Sequence, residues 1–436
     1  MKAVKGKFFF GGVHIRDKKS LSCDVPTEVL PEPSVVCIST HQSLGKPAVP
    51  CVEVGQSVVE GQLIAKANGA VSSNVFASVA GVVREIKPMP SASGAEETFI
   101  VIQSDGSQFK EYLPPLVQPS PEQILERICQ AGIVGMGGAG FPAAVKDAPK
   151  TPVDTLVING AECEPYLTCD HRLMIEHADE IVRGARYIAS ALGGAAIAIG
   201  IERNKPDCIA AFEPYDDVKV VSLAKRYPMG SEKHLIYSVV GRYVRPGKLP
   251  ADAGVIVHNV GTAYAVCQAV ELGKPLYERE ITVSGGAVAS PKNLWVKIGT
   301  SVKDVIDYCG GETGRVTKAV LGGPMTGTAI ADYDKYITKT SGGILLMTSK
   351  EAECSAPTAC LNCGKCADVC PMHLMPMQTA FYSNAGDFES AAKLGGTMHC
   401  IECGACEYVC PAKRPLIQAI RKTKAAVRAA KAKEEK

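Results

Sequence analysis

The N-terminal quarter of the chain alternates apolar and polar positions in short runs, and glycine or proline interrupts each run. The pattern is clearest between about residues 30 and 87, for example in "VEVGQSVVEGQLIAKANGAVSSNVFASVAGVVREI". A period of two residues broken by glycine is typical of short β-strands joined by tight turns. The pattern therefore predicts a small β domain, which we assign to residues 1–113.

A different alternation begins after a proline-rich linker around residues 114–121. Ser120 is suited to the N-cap, and Pro121 to the first position, of a helix in "PEQILERICQAG". The strand "TLVING", the helix "LMIEHADEIVRGARYIASAL" and the strand "GAAIAIGIE" then follow in turn. This alternation of helices and strands predicts an α/β domain over residues 120–275.

The remainder of the chain changes character twice. The stretch "REITVSGGAVASPKNLWVKIGTSVKDVIDYCGG" gives two strands, a helix and glycine-marked turns, and predicts a small β-grasp module over residues 276–342. Residues 343–420 are rich in cysteine and mostly helical, and residues 421–436 form a basic helix and tail. The predicted fold class is therefore multidomain α/β, with a β domain first and a helical, cysteine-rich domain last.

Composition narrows the functional classes. The chain has 436 residues, of which 46% are hydrophobic and 21% charged, as expected for a globular protein with an ample core. A net charge of +2 and a single Trp argue against nucleic acid as a partner. We predict no signal peptide, and no apolar run approaches the ~20 residues of a membrane helix. Membrane association would thus require docking.

Cysteine is abundant, with 18 residues. We predict that the scattered ones are buried thiols in a reducing compartment. These are Cys23, Cys37, Cys51, Cys129, Cys163, Cys169, Cys208, Cys267, Cys309 and Cys354. The other eight fall in "CLNCGKCADVCP" and "CIECGACEYVCP".

Both cysteine stretches have the pattern C-x2-C-x2-C-x3-C-P. In two-cluster ferredoxins three closely spaced thiolates bind one [4Fe-4S] cluster and the fourth ligates the other. The pattern predicts one cluster on Cys360, Cys363, Cys366 and Cys410, and a second on Cys400, Cys403, Cys406 and Cys370. Zinc is the alternative, but zinc sites usually separate paired ligands by longer gaps. The motif thus favours electron transfer.

A glycine-dense loop, "GMGGAG" (residues 135–140), is the candidate site for a cofactor phosphate. Gly135, Gly137 and Gly140 satisfy G-x-G-x-x-G, but the dinucleotide fingerprint needs a preceding strand, and here a helix precedes it. The backbone N–H groups, including that of Gly138, can still face a phosphate, with Lys146 adding charge. A plain glycine-rich turn is the alternative. Five glycines among residues 132–140 favour ligand contact.

A second candidate segment, "NGAECEP" (residues 159–165), begins where the predicted strand "TLVI" ends. Ligands of α/β sheets bind at the carboxyl ends of strands. We therefore expect Asn159, Glu162 and Glu164 to hydrogen-bond a flavin or a ribose. A solvated loop of turn-forming residues is the alternative.

Several segments resemble known families. "GMGGAGFPAAVK" and "NGAECEP" resemble the flavin-binding segments of the NADH-oxidising subunit of respiratory complex I. "PMGSEKHLI" and "HNVGTAYAV" resemble later cofactor segments, which implies that Glu232, Asn259 and Thr262 lie near flavin or nicotinamide. The β domain resembles a lipoyl-type barrel sandwich, but its tip "NGAVSS" lacks the carrier lysine, so we expect a structural or docking role.

Over nearly its whole length the chain resembles the C subunit of Rnf complexes, which are membrane-associated ferredoxin:NAD oxidoreductases that couple electron flow to ion pumping. The resemblance implies non-covalent FMN, NAD(H) stacked on it, two [4Fe-4S] clusters, and other Rnf subunits as partners at the cytoplasmic face of the membrane. It makes the β-grasp module an SLBB domain. Phe141 would pack on a cofactor ring or belong to the core. Ala143 departs from the family pattern, because such loops usually have Thr there.

Hydride exchange with a flavin requires no protein acid or base, so no catalytic side chain is predicted. Three alternatives remain open. A related cobalamin reductase of propanediol metabolism shares the flavin loop and clusters. The corresponding part of sodium-pumping quinone reductase would not need the eight cysteines. A non-catalytic iron–sulfur wire would have lost its flavin site. The basic tail would dock partner subunits or an anionic membrane, or remain a solvated helix.

Overall fold

A computed structural model describes residues 3–352 and 355–434 of the chain. The strands before the first α-helix lie in three different parts of the molecule. In chain order they are β1 (Val4–Lys5), β2 (Glu28–Val29), β3 (Val35–Ser39), β4 (Val49–Pro50), β5 (Ser57–Val58), β6 (Leu63–Lys66), β7 (Val75–Phe76), β8 (Gly81–Pro90) and β9 (Glu96–Ser104).

The β domain is built from two antiparallel sheets, with strand orders β3-β9-β8-β5 and β4-β6-β7. Their apolar positions meet in one core, in which Ile38, Ile64 and Ile100 are fully buried. Neither β1 nor β2 belongs to these sheets, because β1 and β2 pair with strands of the next two domains. The predicted domain 1–113 is therefore too long at its start, since local alternation does not reveal a distant pairing partner.

The α/β domain follows, and its elements alternate as the sequence predicted. They are α1 (Pro121–Gln130), α2 (Ala143–Lys146), β10 (Thr155–Gly160), α3 (Cys169–Glu176), α4 (Ala178–Ala191), β11 (Ala196–Glu202), α5 (Pro206–Phe212), β12 (Val218–Leu223), α6 (Glu232–Val240), β13 (Val255–Asn259) and α7 (Val260–Glu271). The parallel sheet has the order β1-β12-β11-β10-β13. Ser120 caps α1 through a capping box with Gln123, and Pro121 occupies the first turn.

The β-grasp module contains β14 (Glu278–Ser284), β15 (Lys292–Lys297), α8 (Val302–Tyr308), β16 (Lys318–Leu321), β17 (Thr328–Ile330) and β18 (Gly343–Met347). Its sheet has the order β17-β16-β18-β14-β15-β2. The predicted boundary at residues 342 and 343 cuts off β18, which pairs between β16 and β14. A short apolar run such as "GILLM" does not by itself distinguish a strand from a buried helix.

The cysteine-rich domain is helical, with α9 (Lys365–Asp368), α10 (Pro376–Asn384), α11 (Phe388–Gly395), α12 (Ala405–Tyr408) and α13 (Leu416–Glu434). Helix α13 continues across the predicted boundary at residue 421, and Thr423 and Lys424 on it are buried. Within the described ranges, no helix combines the length and apolar character needed to cross a membrane.

Residues 3–29, which we call the strap, connect the domains. The strap adds β1 to the parallel sheet, where Val4 aligns with Val221, and adds β2 to the β-grasp sheet, where Val29 aligns with Trp295. Between these strands Gly12 donates a backbone hydrogen bond to Val369 in the cysteine-rich domain. The strap thus contacts three domains.

Candidate cofactor and cluster sites

Residues 135–140 form a closed loop at the surface, which we call the glycine loop. The Gly135 N–H donates to the Phe141 carbonyl over 2.8 Å, and Val134 bridges Pro142 at the base. In the part of the chain that the structure describes, the N–H groups of Gly137, Gly138 and Ala139 donate to no protein acceptor. Gly138 has a φ of 117°, which side chains rarely adopt. The loop therefore exposes consecutive donors suited to a phosphate.

Three domains hold the glycine loop from behind. The Met136 N–H donates to Thr262 Oγ1 over 3.0 Å, so Thr262 lies beneath the loop. The Gly140 carbonyl accepts the N–H of Leu44 from the β domain over 2.9 Å. A Cβ on Gly140 would lie 2.7 Å from Thr340 Cγ2, beside the β-grasp sheet. The loop is thus fixed at its base and open at its tip.

Lys146 and Glu232, both predicted cofactor residues, form an ion pair with 2.7 Å between Nζ and Oε1. Lys146 ends α2, directly after the glycine loop, and Glu232 begins α6. Both side chains are partly exposed, so solvent or a ligand can reach the pair. Phe141 is half-buried at the loop's end. An anionic ligand at the loop would compete with Glu232 for the lysine.

Asn159 and Asn259 lie side by side, because they are register partners at the ends of β10 and β13. Asn159 Nδ2 donates to the Gly230 carbonyl over 3.0 Å. Asn259 caps α7, accepting the Gly261 N–H at 2.8 Å through Oδ1 and donating to Asp170 Oδ2 at 2.7 Å through Nδ2. Both amides thus lie at the carboxyl ends of the strands, where an α/β sheet binds ligands.

Glu162 and Glu164 already have protein partners. Glu162 pairs with Lys19 of the strap at 3.2 Å and accepts the Asp170 N–H at 2.8 Å. Glu164 accepts the Met325 N–H at 3.1 Å and the Thr326 hydroxyl at 2.5 Å. Both carboxylates hold the segment 159–165 against the strap and the β-grasp module, and their hydrogen bonds to a cofactor stay a prediction.

The eight clustered cysteines converge on two cavities. One, of about 390 Å³, is lined by Cys370, Cys400, Cys403 and Cys406, which we call the inner set. The other, of about 1040 Å³, is lined by Cys360, Cys363, Cys366 and Cys410, which we call the outer set. Each set combines three cysteines of one motif with the fourth of the other, the exchange that the spacing predicted.

The inner set lies against the α/β domain. Tyr227 and Cys163 pack with Cys403 and Ala405 in one apolar cluster. A Cβ on Gly404 would lie 3.0 Å from the Met325 carbonyl, and the N–H of the same Met325 binds Glu164. The segment 159–165 therefore meets the inner set both through Cys163 and through Met325.

Family models match four consecutive parts of the chain. They are an RnfC barrel sandwich hybrid domain over residues 7–107, a Nuo51 FMN-binding domain over 128–268, an SLBB domain over 281–329 and a 4Fe-4S dicluster domain over 359–414. The predicted order of domain types is confirmed.

Whole-chain relatives give the same result. The C subunit of the proton-translocating ferredoxin:NAD(+) oxidoreductase complex of Clostridium ljungdahlii is 43% identical, covering 97% of this chain and 95% of that protein. The C subunit of the Na(+)-translocating complex of Acetobacterium woodii is 40% identical, covering 97% of each. The C subunit of the ion-translocating oxidoreductase complex of Rhodobacter capsulatus is 41% identical, covering 88% of this chain and 76% of that protein.

The chain belongs to the family of C subunits of ion-translocating oxidoreductase complexes. The cobalamin reductase and the non-catalytic wire considered above are not favoured by this membership. Among solved structures, a chain of an NAD+-reducing [NiFe]-hydrogenase in the H2-reduced state is 20% identical, with a TM-score of 0.45, and covers 70% of this chain and 62% of that one.

The residues present fit the cofactors of this family. For FMN, the glycine loop supplies N–H donors without a protein acceptor among the described residues, and Lys146 supplies a cation in the helix α2 that follows the loop. For the clusters, each cavity has four thiols and lacks the carboxylates or imidazoles of other metal centres among its described lining residues. Burial raises the pKa of the Cys403 thiol to about 11, so iron binding there releases a proton.

Sequence reasoning missed Lys19 and Asp170. Burial opposes the charge of Lys19, but Glu162 and Glu202 outweigh it and raise its pKa. Burial, followed by repulsion from Glu162, raises the pKa of Asp170 to about 7. Asp170 also lines a cleft of about 530 Å³ between the α/β domain and β14. Its proximity to "NGAECEP" was the available signal, whereas Lys19 lies far from that segment in the chain and had none.

The scattered cysteines are only partly as predicted. Cys37, Cys169, Cys208, Cys267 and Cys309 are buried, whereas Cys23 and Cys163 are half-buried, and Cys51 and Cys129 are exposed. Cys354 lies outside the described residues. The prediction of buried thiols is therefore wrong for Cys51 and Cys129.

Proposed function

We propose that this chain is the NAD(H)-reactive subunit of a ferredoxin:NAD oxidoreductase complex and that it carries electrons between NAD(H) and partner subunits. The observation that supports this most is the placement of the two cysteine sets. The inner set packs against the α/β domain, and the outer set is open to solvent. Electrons would therefore pass from the α/β domain to the buried inner set and from there to the exposed outer set.

FMN bound at the glycine loop would exchange hydride with NAD(H) and electrons singly with the clusters, which is chemistry that belongs to the cofactor. The chain supplies binding and orientation. The free N–H groups of residues 137–139 and the Lys146 ammonium would bind the phosphate. Asn159, Asn259 and Thr262 fix the strand ends and the loop base. Glu232 restrains Lys146 when no anion is present.

The predicted cofactor residues fall into two groups by geometry. Gly135, Gly137, Gly138, Gly140, Phe141 and Lys146 belong to the loop and its continuation and would contact FMN directly. Glu162 and Glu164 act through other residues, because their carboxylates already bind Lys19, Met325 and Thr326. The two carboxylates would position the flavin-side segment relative to the inner set.

The outer set is the proposed contact point for partner subunits. Cys360 and Cys363 are exposed, and the same cavity is lined by the exposed side chains of Leu361 and Phe381. A one-electron carrier must approach a cluster closely, and an exposed rim allows that. We place the protein peripherally, held by its partners, at the cytoplasmic face of the membrane where NAD(H) is available. The basic residues of α13 would reinforce docking there.

Anaerobic purification of the whole chain tests this function. We expect about eight irons and one FMN per chain, and NADH-dependent reduction of a viologen dye. Lys146→Gln should reduce FMN occupancy without altering iron content, whereas Lys350→Gln, outside the site, should alter neither. About eight irons without flavin or NADH activity would contradict the proposal and leave only an electron wire.

A further inference from the structure

The backbone on both sides of Cys370 is held by groups from outside the cysteine-rich domain. Before it, the Val369 carbonyl accepts the N–H of Gly12 over 2.7 Å. After it, the Pro371 carbonyl lies 3.0 Å from His234 Nε2. Cys370 is itself buried, and it is the ligand that enters the inner set from the other motif. These contacts fix a ligand whose own loop belongs to the outer set.

A third contact holds the opposite side of the inner cavity. The Tyr227 hydroxyl donates to the Cys403 carbonyl over 2.6 Å. Tyr227 is buried, and its backbone exchanges hydrogen bonds of 2.8 and 2.9 Å with Val13 of the strap. Tyr227, which binds the Cys403 carbonyl, is therefore itself bound by Val13, the residue after Gly12.

At Gly11 and Gly12 the strap packs too closely against its neighbours to accommodate a side chain. Gly11 has a φ of 81°, and a Cβ there would lie 2.8 Å from the Cys370 carbonyl oxygen. Gly12 has a φ of 75°, and a Cβ there would lie 2.5 Å from the Tyr227 carbonyl oxygen. Backbone atoms cannot move aside as a flexible side chain can. The pair of glycines in "FFFGGVHI" is thus explained by a close approach to the cysteine-rich domain at Gly11 and to the α/β domain at Gly12.

His234 connects this contact to the flavin side. It lies in the first turn of α6, two residues after Glu232, which pairs with Lys146. Its Nδ1 lies 2.9 Å from Ser231 Oγ, and the Phe9 ring of the strap packs at 4.6 Å between centroids. With the Ser231 hydroxyl donating to Nδ1, Nε2 carries the proton and donates to Pro371. The start of α6 thus contacts both sites.

We propose that Gly12, Tyr227 and His234 form a clamp that fixes Cys370 and Cys403 against the α/β domain, and so sets the position of the inner cluster relative to the flavin site. The three are positioning residues, because their hydrogen bonds to the cysteine-rich domain go to backbone carbonyls rather than to a thiol. The inference rests on the proposed function, since it assumes that electrons pass between these two sites. It assigns to the strap a role in electron transfer rather than in folding alone.

The test uses the whole chain with His234→Leu, His234→Gln and Tyr227→Phe, and with His399→Gln and Tyr408→Phe as controls. His399 and Tyr408 are exposed in the same cysteine-rich domain. Leu cannot donate to the Pro371 carbonyl, whereas Gln can. Stopped-flow mixing with NADH reports flavin bleaching and cluster reduction separately. EPR of the reduced protein reports each cluster, and iron analysis reports loading.

We expect flavin bleaching within twofold of wild type in all variants. Cluster reduction should slow about 10-fold in His234→Leu and Tyr227→Phe, in line with losses of outer-shell partners at metal sites. One EPR signal should shift while the other does not, and His234→Gln should recover most of the rate. Selective loss of about four irons in His234→Leu would also support the clamp.

Unchanged EPR signals and a cluster-reduction rate within twofold of wild type in His234→Leu would overturn the clamp. Failure of NADH to bleach the flavin in the wild-type chain would instead overturn the proposed function, so the two failures are distinguishable. If Tyr227→Phe loses flavin and all iron together, the comparison of His234→Leu with His234→Gln decides.

Discussion

The inner and outer cysteine sets have the same motif and the same backbone turns, but different surroundings. Gly364 and Gly404 have φ values of 73° and 77°, and Asn362 and Glu402 have values of 51° and 56°. Cys370 and Cys406 of the inner set are buried, whereas Cys360 and Cys363 of the outer set are exposed. The motif therefore specifies which thiols converge, and the neighbouring domains determine which set packs against the α/β domain and which faces solvent.

Hydrogen bonding also distinguishes the two sets. In the inner set, Cys370 Sγ accepts the Leu374 N–H at 3.4 Å and Cys400 Sγ accepts the Glu402 N–H at 3.3 Å. Lys424 of α13 adds a bond of 2.6 Å to the Cys400 carbonyl. Hydrogen bonds to the sulfurs and exposure to solvent both tune cluster potentials. Two clusters of one type on one chain are thus expected to differ in potential.

The largest expected effect is on iron removal. Under anaerobic conditions a hydrophilic iron chelator should remove about four irons from the outer set about tenfold faster than the rest, because Cys360 and Cys363 are exposed whereas Cys370 and Cys406 are buried. Iron release followed by the chelate's absorbance should then be biphasic. Release of all the iron in a single phase would contradict the difference in exposure between the two sets, because it would show that both are equally accessible.

A smaller effect is expected from Lys424→Met. Lys424 Nζ bonds both the Cys400 carbonyl and Glu402 Oε1, at 2.6 and 2.7 Å. Its loss removes the charged donor from the Cys400 carbonyl and leaves Glu402 with Arg421 alone, so it should lower the free energy of unfolding by about 1–3 kcal/mol. Lys431→Met, on the exposed end of the same helix, is the matched control. Denaturant unfolding followed by cluster absorbance measures both, and equal midpoints would argue against a role for α13 at the inner set.

The two cysteine sets show which features of the structure can be predicted from the sequence. Both ligand sets, with the exchanged fourth cysteine, could be predicted because C-x2-C-x2-C-x3-C-P is a local pattern with one geometric solution. The cap of α1 and the strand ends at Asn159 and Asn259 are similarly local. The order of the domain types could also be predicted, because each domain type has its own local pattern of apolar, glycine or cysteine residues.

Contacts between distant segments could not be predicted. Lys19 on Glu162, Gly12 on Val369 and Tyr227 on Cys403 each join segments more than a hundred residues apart. No periodicity or motif identifies such a partner. The strands β1, β2 and β18 could not be predicted for the same reason. Each is a short run that is identified as a strand only by its pairing with a distant sheet. The difference between the inner and outer sets arises from these contacts.

The smallest expected effect concerns pH on the flavin side. The pKa of Asp170 is raised to about 7 from its ordinary 3.8, first by burial and then by Glu162. Between those values the folded chain holds a proton that the unfolded chain has lost, so stability falls as pH rises. Asp170→Asn should remove that dependence, gaining stability over wild type by up to about 1.4 kcal/mol per pH unit.

Thermal unfolding of Asp170→Asn and wild type at pH 5 and pH 8 measures the effect. Asp216→Asn, on an exposed residue of the same domain, is the control. A stability gain equal at both pH values would contradict a buried, protonated Asp170. Because Asp170 is not among the residues that line the outer cavity, the outer cluster's EPR signal should be the same in this variant.

From the placement of the two sets we expect electrons from NADH to reach the inner cluster first and the outer cluster through it. Freeze-quench EPR after mixing with NADH tests it in Cys363→Ala and Cys406→Ala, which disrupt the outer and inner sets respectively. We predict that the cluster remaining in Cys363→Ala is reduced as fast as the first cluster of wild type. The cluster remaining in Cys406→Ala should stay oxidised over the same interval, although dithionite reduces it. The reverse pattern, with the outer cluster reduced by NADH when the inner one is lost, would contradict the account.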